Sequence, residues 1–179
     1  MSSEPRPKLT RRVVTGVNAK GRSVIVSDGE TPTWVRRPTG SVVAEVWRAD
    51  SLPAQVQDEP HEGADLVAPT PAGVRVRVAV FPPEKDVDPA QAAAYQASLQ
   101  ELYGDQGDAP PSEVAGMHRT DTIDIVTVVD GEMWVVMEEG ETLLQVGDCL
   151  VQRGTRHAWS NRSDRPCTLV STTLTAIRT

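Results

Sequence analysis

Hydrophobic and polar positions alternate over short runs through much of the chain, the period-two pattern of strands that bury one face. The clearest run is 73–81, where Val74, Val76, Val78 and Val80 alternate with Arg75, Arg77, Ala79 and Phe81. One face of this strand should be buried and the other at least partly wet. Runs at 12–17 and 22–27 flank Asn18-Ala19-Lys20-Gly21 and predict a hairpin, with Asp28-Gly29 ending it. Valine-rich 41–48 predicts a further strand. Six more runs follow at 123–129, 132–138, 142–146, 148–152, 157–161 and 166–176, broken at Asp130-Gly131, Glu139-Gly140 and Gly147-Asp148. Many short strands at regular spacing predict an all-β sandwich or barrel, because closing or doubling a sheet removes open edges.

Helical character is confined to one place. Asp88 can cap a helix with Pro89 at its first position, and 90–103 continues with strong helix formers. Stretches 52–71 and 105–115 have prolines and no periodicity, and read as loops. The first is long enough to be mobile or functional, such as a lid. The second leads into Met117-His118 and is expected near the barrel mouth. The predicted organisation is a disordered tail at 1–9, an N-terminal β extension and loop at 10–72 packed on the barrel, and the barrel at 73–179.

Composition narrows the function classes. A length of 179 residues suits one domain with a real core. Net charge −7 and a pI of about 5.0 argue against nucleic acid as a partner. No apolar run is long enough to span a membrane, and residues 1–7 lack the apolar core of a secretion signal. Cys149 and Cys167 make no disulfide framework and are expected as buried filler in strands. A reduced, cytoplasmic protein is the expectation.

The candidate chemistry lies between Met117 and Asn161, whose ends carry His118 and His157. His118, Thr120, Asp124, Val126 and Val128 share parity, so an unbroken strand would put them on one face, apolar at one end and metal-binding in type at the other. The segment resembles the cupin family. His118 stands at the first histidine of that family's first motif, Asp124 at its carboxylate and Gly131 at its closing glycine. Gly147, Gly154, His157 and Asn161 follow the second motif. Thr120 stands where a second histidine is usual, Asp124 replaces Glu, Gln152 replaces a proline, and the run after Gly147 is one residue short.

The resemblance implies a cupin double-stranded β-helix, a jelly-roll barrel with a peripheral helix, commonly a homodimer. It also implies that His118, Asp124 and His157 are candidate catalytic residues holding one divalent metal such as Fe, Mn, Ni or Zn. Two imidazoles and a carboxylate suit these ions and leave positions open for water, dioxygen or substrate. The expected function is a metal-dependent enzyme acting on a small organic molecule. Lyase or decarboxylase, dioxygenase, or cyclase or isomerase chemistry on an acid, enol or polyketide-like substrate is left open. The alternatives are a non-catalytic ligand-binding cupin, or a metal-free one using histidine as general base.

Trp159 shares parity with His157 and is expected to wall the pocket. Arg153 and Arg156 flank the turn before His157, where they either grip a substrate carboxylate bidentately or are surface charges. Asn161 is expected to pin a turn, Thr120 to be an ordinary strand residue, and His61 to be a solvated loop residue.

Overall fold

A computed structural model of the chain describes residues 7–56, 72–103 and 114–178. Eleven strands are present among them: β1 Arg11–Val17, β2 Ser23–Glu30, β3 Thr33–Arg36, β4 Val42–Ala49, β5 Val74–Phe81, β6 Thr122–Asp130, β7 Glu132–Met137, β8 Glu141–Gln145, β9 Cys149–Arg153, β10 His157–Ser160 and β11 Cys167–Thr175. One helix, α1, spans Pro89–Tyr103 after a 3₁₀ turn at Glu84–Asp86. The fold is the all-β barrel expected from the sequence. Of the loop expected as a lid at 52–71, residues 57–71 with His61 lie outside the described residues, as do residues 105–113 of the second loop.

A six-stranded sheet in the order β3-β4-β5-β11-β6-β9 faces a three-stranded sheet in the order β10-β7-β8, and β1-β2 form a separate hairpin. Every pairing is antiparallel. The core between the two larger sheets gathers Val126, Val128, Met133, Val135, Leu144, Cys167 and Leu169. Alternation sorts β7 cleanly. Met133 and Val135 are buried, while Trp134 turns out and lies under the Arg162 guanidinium at 4.7 Å.

The valine alternation of β5 has an unexpected sense. Arg75, Arg77, Ala79 and Phe81 line the barrel interior. The valine face is turned outward, where Ala44 of β4 pairs with Val78. Ala44 joins Leu9, Val42 and Trp34 in a second apolar cluster outside the barrel. Leu9 therefore belongs to the folded part rather than to a tail. A buried guanidinium needs compensating charge, and Glu45 of the adjacent strand supplies it from the register position facing Arg77.

Other local features differ in smaller ways. β2 continues past Asp28-Gly29 to Glu30, held by an Arg11–Asp28 ion pair at 2.7 Å. β3 was not legible because it is only four residues long and lies between Pro32 and Pro38. Cys149 is exposed, whereas Cys167 is buried as expected. The helix cap is as predicted and is reciprocal: Gln91 N–H donates to Asp88 Oδ1 at 2.8 Å, and Asp88 N–H to Gln91 Oε1 at 2.9 Å. Farther along α1, Gln96 Oε1 accepts the Gly116 N–H at 2.8 Å, which ties the helix to the segment entering His118.

Gly131, between β6 and β7, has φ +79°, and a Cβ there would lie 2.7 Å from Pro166 O and 2.8 Å from Cys167 Cα. Both obstacles are backbone atoms, at and just before the start of β11. Gly131→Ala is therefore expected to destabilise the fold by about 2 kcal/mol or more. The measurement is the shift in urea midpoint, and an unchanged midpoint would contradict this account of the turn.

Candidate functional site

His118 and His157 meet because of a backbone pairing. His118 N–H donates to His157 O at 3.0 Å, and His157 N–H donates to His118 O at 2.9 Å. In an antiparallel bridge of this kind the two side chains rise from the same face. The imidazole centroids are accordingly 4.5 Å apart. β6 begins only at Thr122, so the unbroken strand from 118 to 128 predicted from parity is not what brings the groups together. His118 reaches the pocket through its bridge to β10, and Asp124 through β6.

Each ring is held at its Nδ1. His118 Nδ1 lies 2.8 Å from Gly116 O, and His157 Nδ1 lies 3.0 Å from Thr155 O. A carbonyl oxygen can only accept, so Nδ1 carries the proton in both rings and Nε2 carries the lone pair. Burial, with the adjacent His157, pushes the His118 pKa down to about 4. Burial also lowers that of His157. Both imidazoles are therefore neutral near pH 7.

Asp124 lines the same cavity. Its Oδ2 accepts a hydrogen bond from Thr122 Oγ1 at 2.9 Å, and Thr120 Oγ1 lies 2.7 Å from Thr122 Oγ1. With the Thr122 proton given to the carboxylate, Thr120 must be the donor to Thr122. Thr120 thus supports the carboxylate through a chain of hydroxyls. Among the described residues no three His, Cys, Asp or Glu side chains converge as a group able to hold a metal ion. The histidine pair is assembled; Asp124 shares the cavity but does not complete a three-ligand cluster with it.

Trp159 stands edge-on to His157 with centroids 5.5 Å apart and walls the cavity. Arg153 lies on the outward-facing side of β9 and is exposed. Arg156 approaches Glu138 at 3.6 Å. Neither lines the cavity, whose arginines are Arg75 and Arg77. Sequence reasoning passed over these two because alternating arginines on a strand read as its wet face. Asn161 pins a turn: its Nδ2 donates to Phe81 O and Arg165 O, and its Oδ1 accepts from Ser163. The cavity measures about 140 Å³.

Residues 108–173 match the family model described as a cupin domain. Phomopsin biosynthesis cluster protein C' of Diaporthe leptostromiformis is 49% identical over 57 residues, 31% of this chain and 30% of that protein. The cupin-domain-containing oxidoreductase virC of Hypocrea virens is 34% identical over 55 residues, 30% of this chain and 28% of that protein. The matches thus span about a third of each relative's length. Among solved structures, the Schizosaccharomyces pombe Cnp3 cupin domain aligns with TM-score 0.45 and 9% identity, covering 92% of this chain and 87% of that one. No helix among the described residues is long and apolar enough to cross a membrane.

The depressed histidine gives a pH dependence to the metal-free protein. His118 titrates near 6.5 when unfolded and near 4 when folded, so between these values the unfolded state binds the extra proton. Stability is full above the upper value and falls as pH drops through the window, by on the order of 3 kcal/mol in total. His157 adds to the loss in the same direction. Urea midpoints of chelator-treated protein at pH 7 and pH 5 measure this. His118→Gln is expected to flatten the profile; an unchanged slope in that variant would contradict the assignment.

Proposed function

We propose, from the match of segment 108–173 to the cupin domain model, that the barrel cavity is the active site of a metal-dependent enzyme acting on a small organic molecule. One observation carries the reading: two adjacent neutral imidazoles, each fixed at Nδ1 by a backbone carbonyl two residues back. Metal-binding histidines are fixed in this way, since a hydrogen bond at one nitrogen sets the tautomer and orients the other. The low His118 pKa argues in the same direction. An imidazole near 4 is a weak general base at neutral pH, because proton transfer works best with a pKa close to the operating pH. As a ligand it loses nothing, since it need only be neutral.

The residues that would hold the ion are His118 and His157, with Asp124 as the carboxylate of the same cavity. Two nitrogen donors and one oxygen donor suit Fe(II), Mn, Ni or Zn. When bound, such an ion supplies Lewis acidity toward a substrate oxygen, or activation of water or dioxygen. Thr122 donates to Asp124 and Thr120 to Thr122, a chain that keeps the carboxylate oriented. Trp159 shields His157 from water on one side.

Cavity size selects among substrates. A space of about 140 Å³ is close to the cavity volume that accepts one benzene ring. A small acid or enol fits it whole, whereas a longer chain would have to extend into the adjoining space of about 490 Å³ that shares Phe81 and Trp159. The relatives described as a biosynthesis cluster protein and a cupin-domain-containing oxidoreductase support small-molecule chemistry, through a segment that is about a third of their length.

We also propose a homodimer. Ile125 of β6 pairs with Val151 of β9, and these side chains, with Ile123, are 41%, 56% and 40% exposed on the outer face of the six-stranded sheet. β9 is also an open edge of that sheet, and exposed apolar surface beside an open edge favours association with a second copy. Light scattering is expected to give a dimer mass, and Ile125→Lys a monomer mass. A monomeric wild-type protein at micromolar concentrations would count against this.

Protein purified without chelators or a polyhistidine tag is expected to carry about one divalent ion per chain. His157→Ala should lose most of the metal and the activity while keeping its far-UV circular dichroism. Full occupancy in His157→Ala, or full activity of metal-free wild type, would rule the metal reading out.

A further inference from the structure

The interior of the barrel holds two guanidinium groups that the metal reading does not use. Arg75 and Arg77 are two positions apart on β5 and line the same cavity as the imidazole pair. Arg75 is 3% exposed, yet its Nε and Nη1 have no hydrogen-bond partner. The nearest carboxylate is that of Glu45, which is 4% exposed and sits between the two arginines. Glu45 Oε2 is 3.7 Å from Arg75 Nη1 and 3.8 Å from Arg77 Nε, beyond hydrogen-bonding distance in both cases. Arg48, next to Arg75, is already paired with Asp50 through two hydrogen bonds.

Buried guanidinium donors are normally satisfied, and a structural ion cluster closes its hydrogen bonds. This cluster leaves donors unmade on a residue that faces a cavity. Burial and the neighbouring Arg77 charge both disfavour the lone Arg75 cation. The group that satisfies these donors is a carboxylate, whose two acceptor oxygens in a plane are the geometry a guanidinium fork reads best.

Register places the two ends of the cavity relative to each other. Asp124 pairs with Thr173, and Thr173 with Arg75, so Asp124 and Arg75 share one level of the sheet with one strand between them. Their backbones are about 10 Å apart at the ordinary strand spacing. A molecule of six to ten heavy atoms spans such a gap, in keeping with the cavity volume.

We infer that Arg75 and Arg77 form an anion subsite that takes the carboxylate of a small monocarboxylic acid, presenting the rest of the molecule to the His118–His157 end of the cavity. This deepens the proposed enzyme and rests on its placement of the active site, though carboxylate binding itself needs no metal.

Isothermal titration calorimetry with benzoate, benzamide and inorganic phosphate tests the inference on as-purified protein, chelator-treated protein and His157→Ala. Benzoate is expected to bind all three, with benzamide and phosphate roughly tenfold or more weaker. Arg75→Met is expected to weaken benzoate roughly tenfold or more, with Arg75→Lys intermediate because it keeps the charge and loses the fork. Should Arg75→Met fail to fold, the lysine variant and the benzoate–benzamide difference in wild type carry the test. Equal binding of benzoate and benzamide, phosphate as tight as benzoate, or benzoate affinity unchanged in Arg75→Lys and Arg75→Met would overturn the subsite. Loss of benzoate binding on chelation would overturn it too, assigning the carboxylate to the metal instead. Absence of metal from the purified protein, with the benzoate preference intact, would remove the metal reading and leave the subsite standing.

Discussion

The site depends on one backbone pairing, the two hydrogen bonds exchanged by His118 and His157. This bridge fixes both Cα positions and forces both rings to one side. The Nδ1 bonds to Gly116 O and Thr155 O then set the ring tautomers. Three local constraints, each of ordinary strength, produce a pair of neutral imidazoles at a defined separation. Desolvation keeps them neutral, and the same burial that makes them poor bases makes them available as ligands.

Around that pair the barrel divides its labour along its strands, apolar toward one end and polar toward the other. β7 and β6 contribute apolar side chains toward the core, where Met133, Val128 and Val135 are almost fully buried. β5 and β11 turn polar and charged side chains toward the cavity: Arg75, Arg77, Ser171 and Thr173. The outer helix participates indirectly, since Gln96 holds Gly116 and Gly116 holds His118. A disturbance in α1 is thereby connected to ring orientation at the site through two hydrogen bonds.

Burying arginines inside a small barrel is costly, and the cost bears on function. An unmade hydrogen bond to a buried group costs about 1–3 kcal/mol, more when the group is charged. Glu45 offsets part of the charge without closing the hydrogen bonds. A hydrophobic replacement would be the cheaper interior if stability were the only demand. The balance is easier to understand in a cavity that meets an anion than in one that stays empty.

What the sequence by itself determined was whatever depends on neighbours in the chain. The alternation gave the strands, Asp88 and Pro89 gave the helix start, and the glycine and histidine spacings from Met117 to Asn161 pointed to the barrel type and to the histidine pair. Asn161 could be read as a turn-pinning residue because its bonds are to residues nearby or at the adjoining strand end. Which face of β5 points inward was decided only by the tertiary structure. Period two says that two faces differ but not which of them meets the interior, and a valine face set beside Val42 and Ala44 of the adjacent strand competes well with the usual arrangement. The same limit hid Arg75 and Arg77 and drew attention to Arg153 and Arg156, which are close to His157 in sequence but do not line its cavity. The meeting of His118 with His157 required a pairing across 39 residues. Parity along a single strand carries no information about such a pairing.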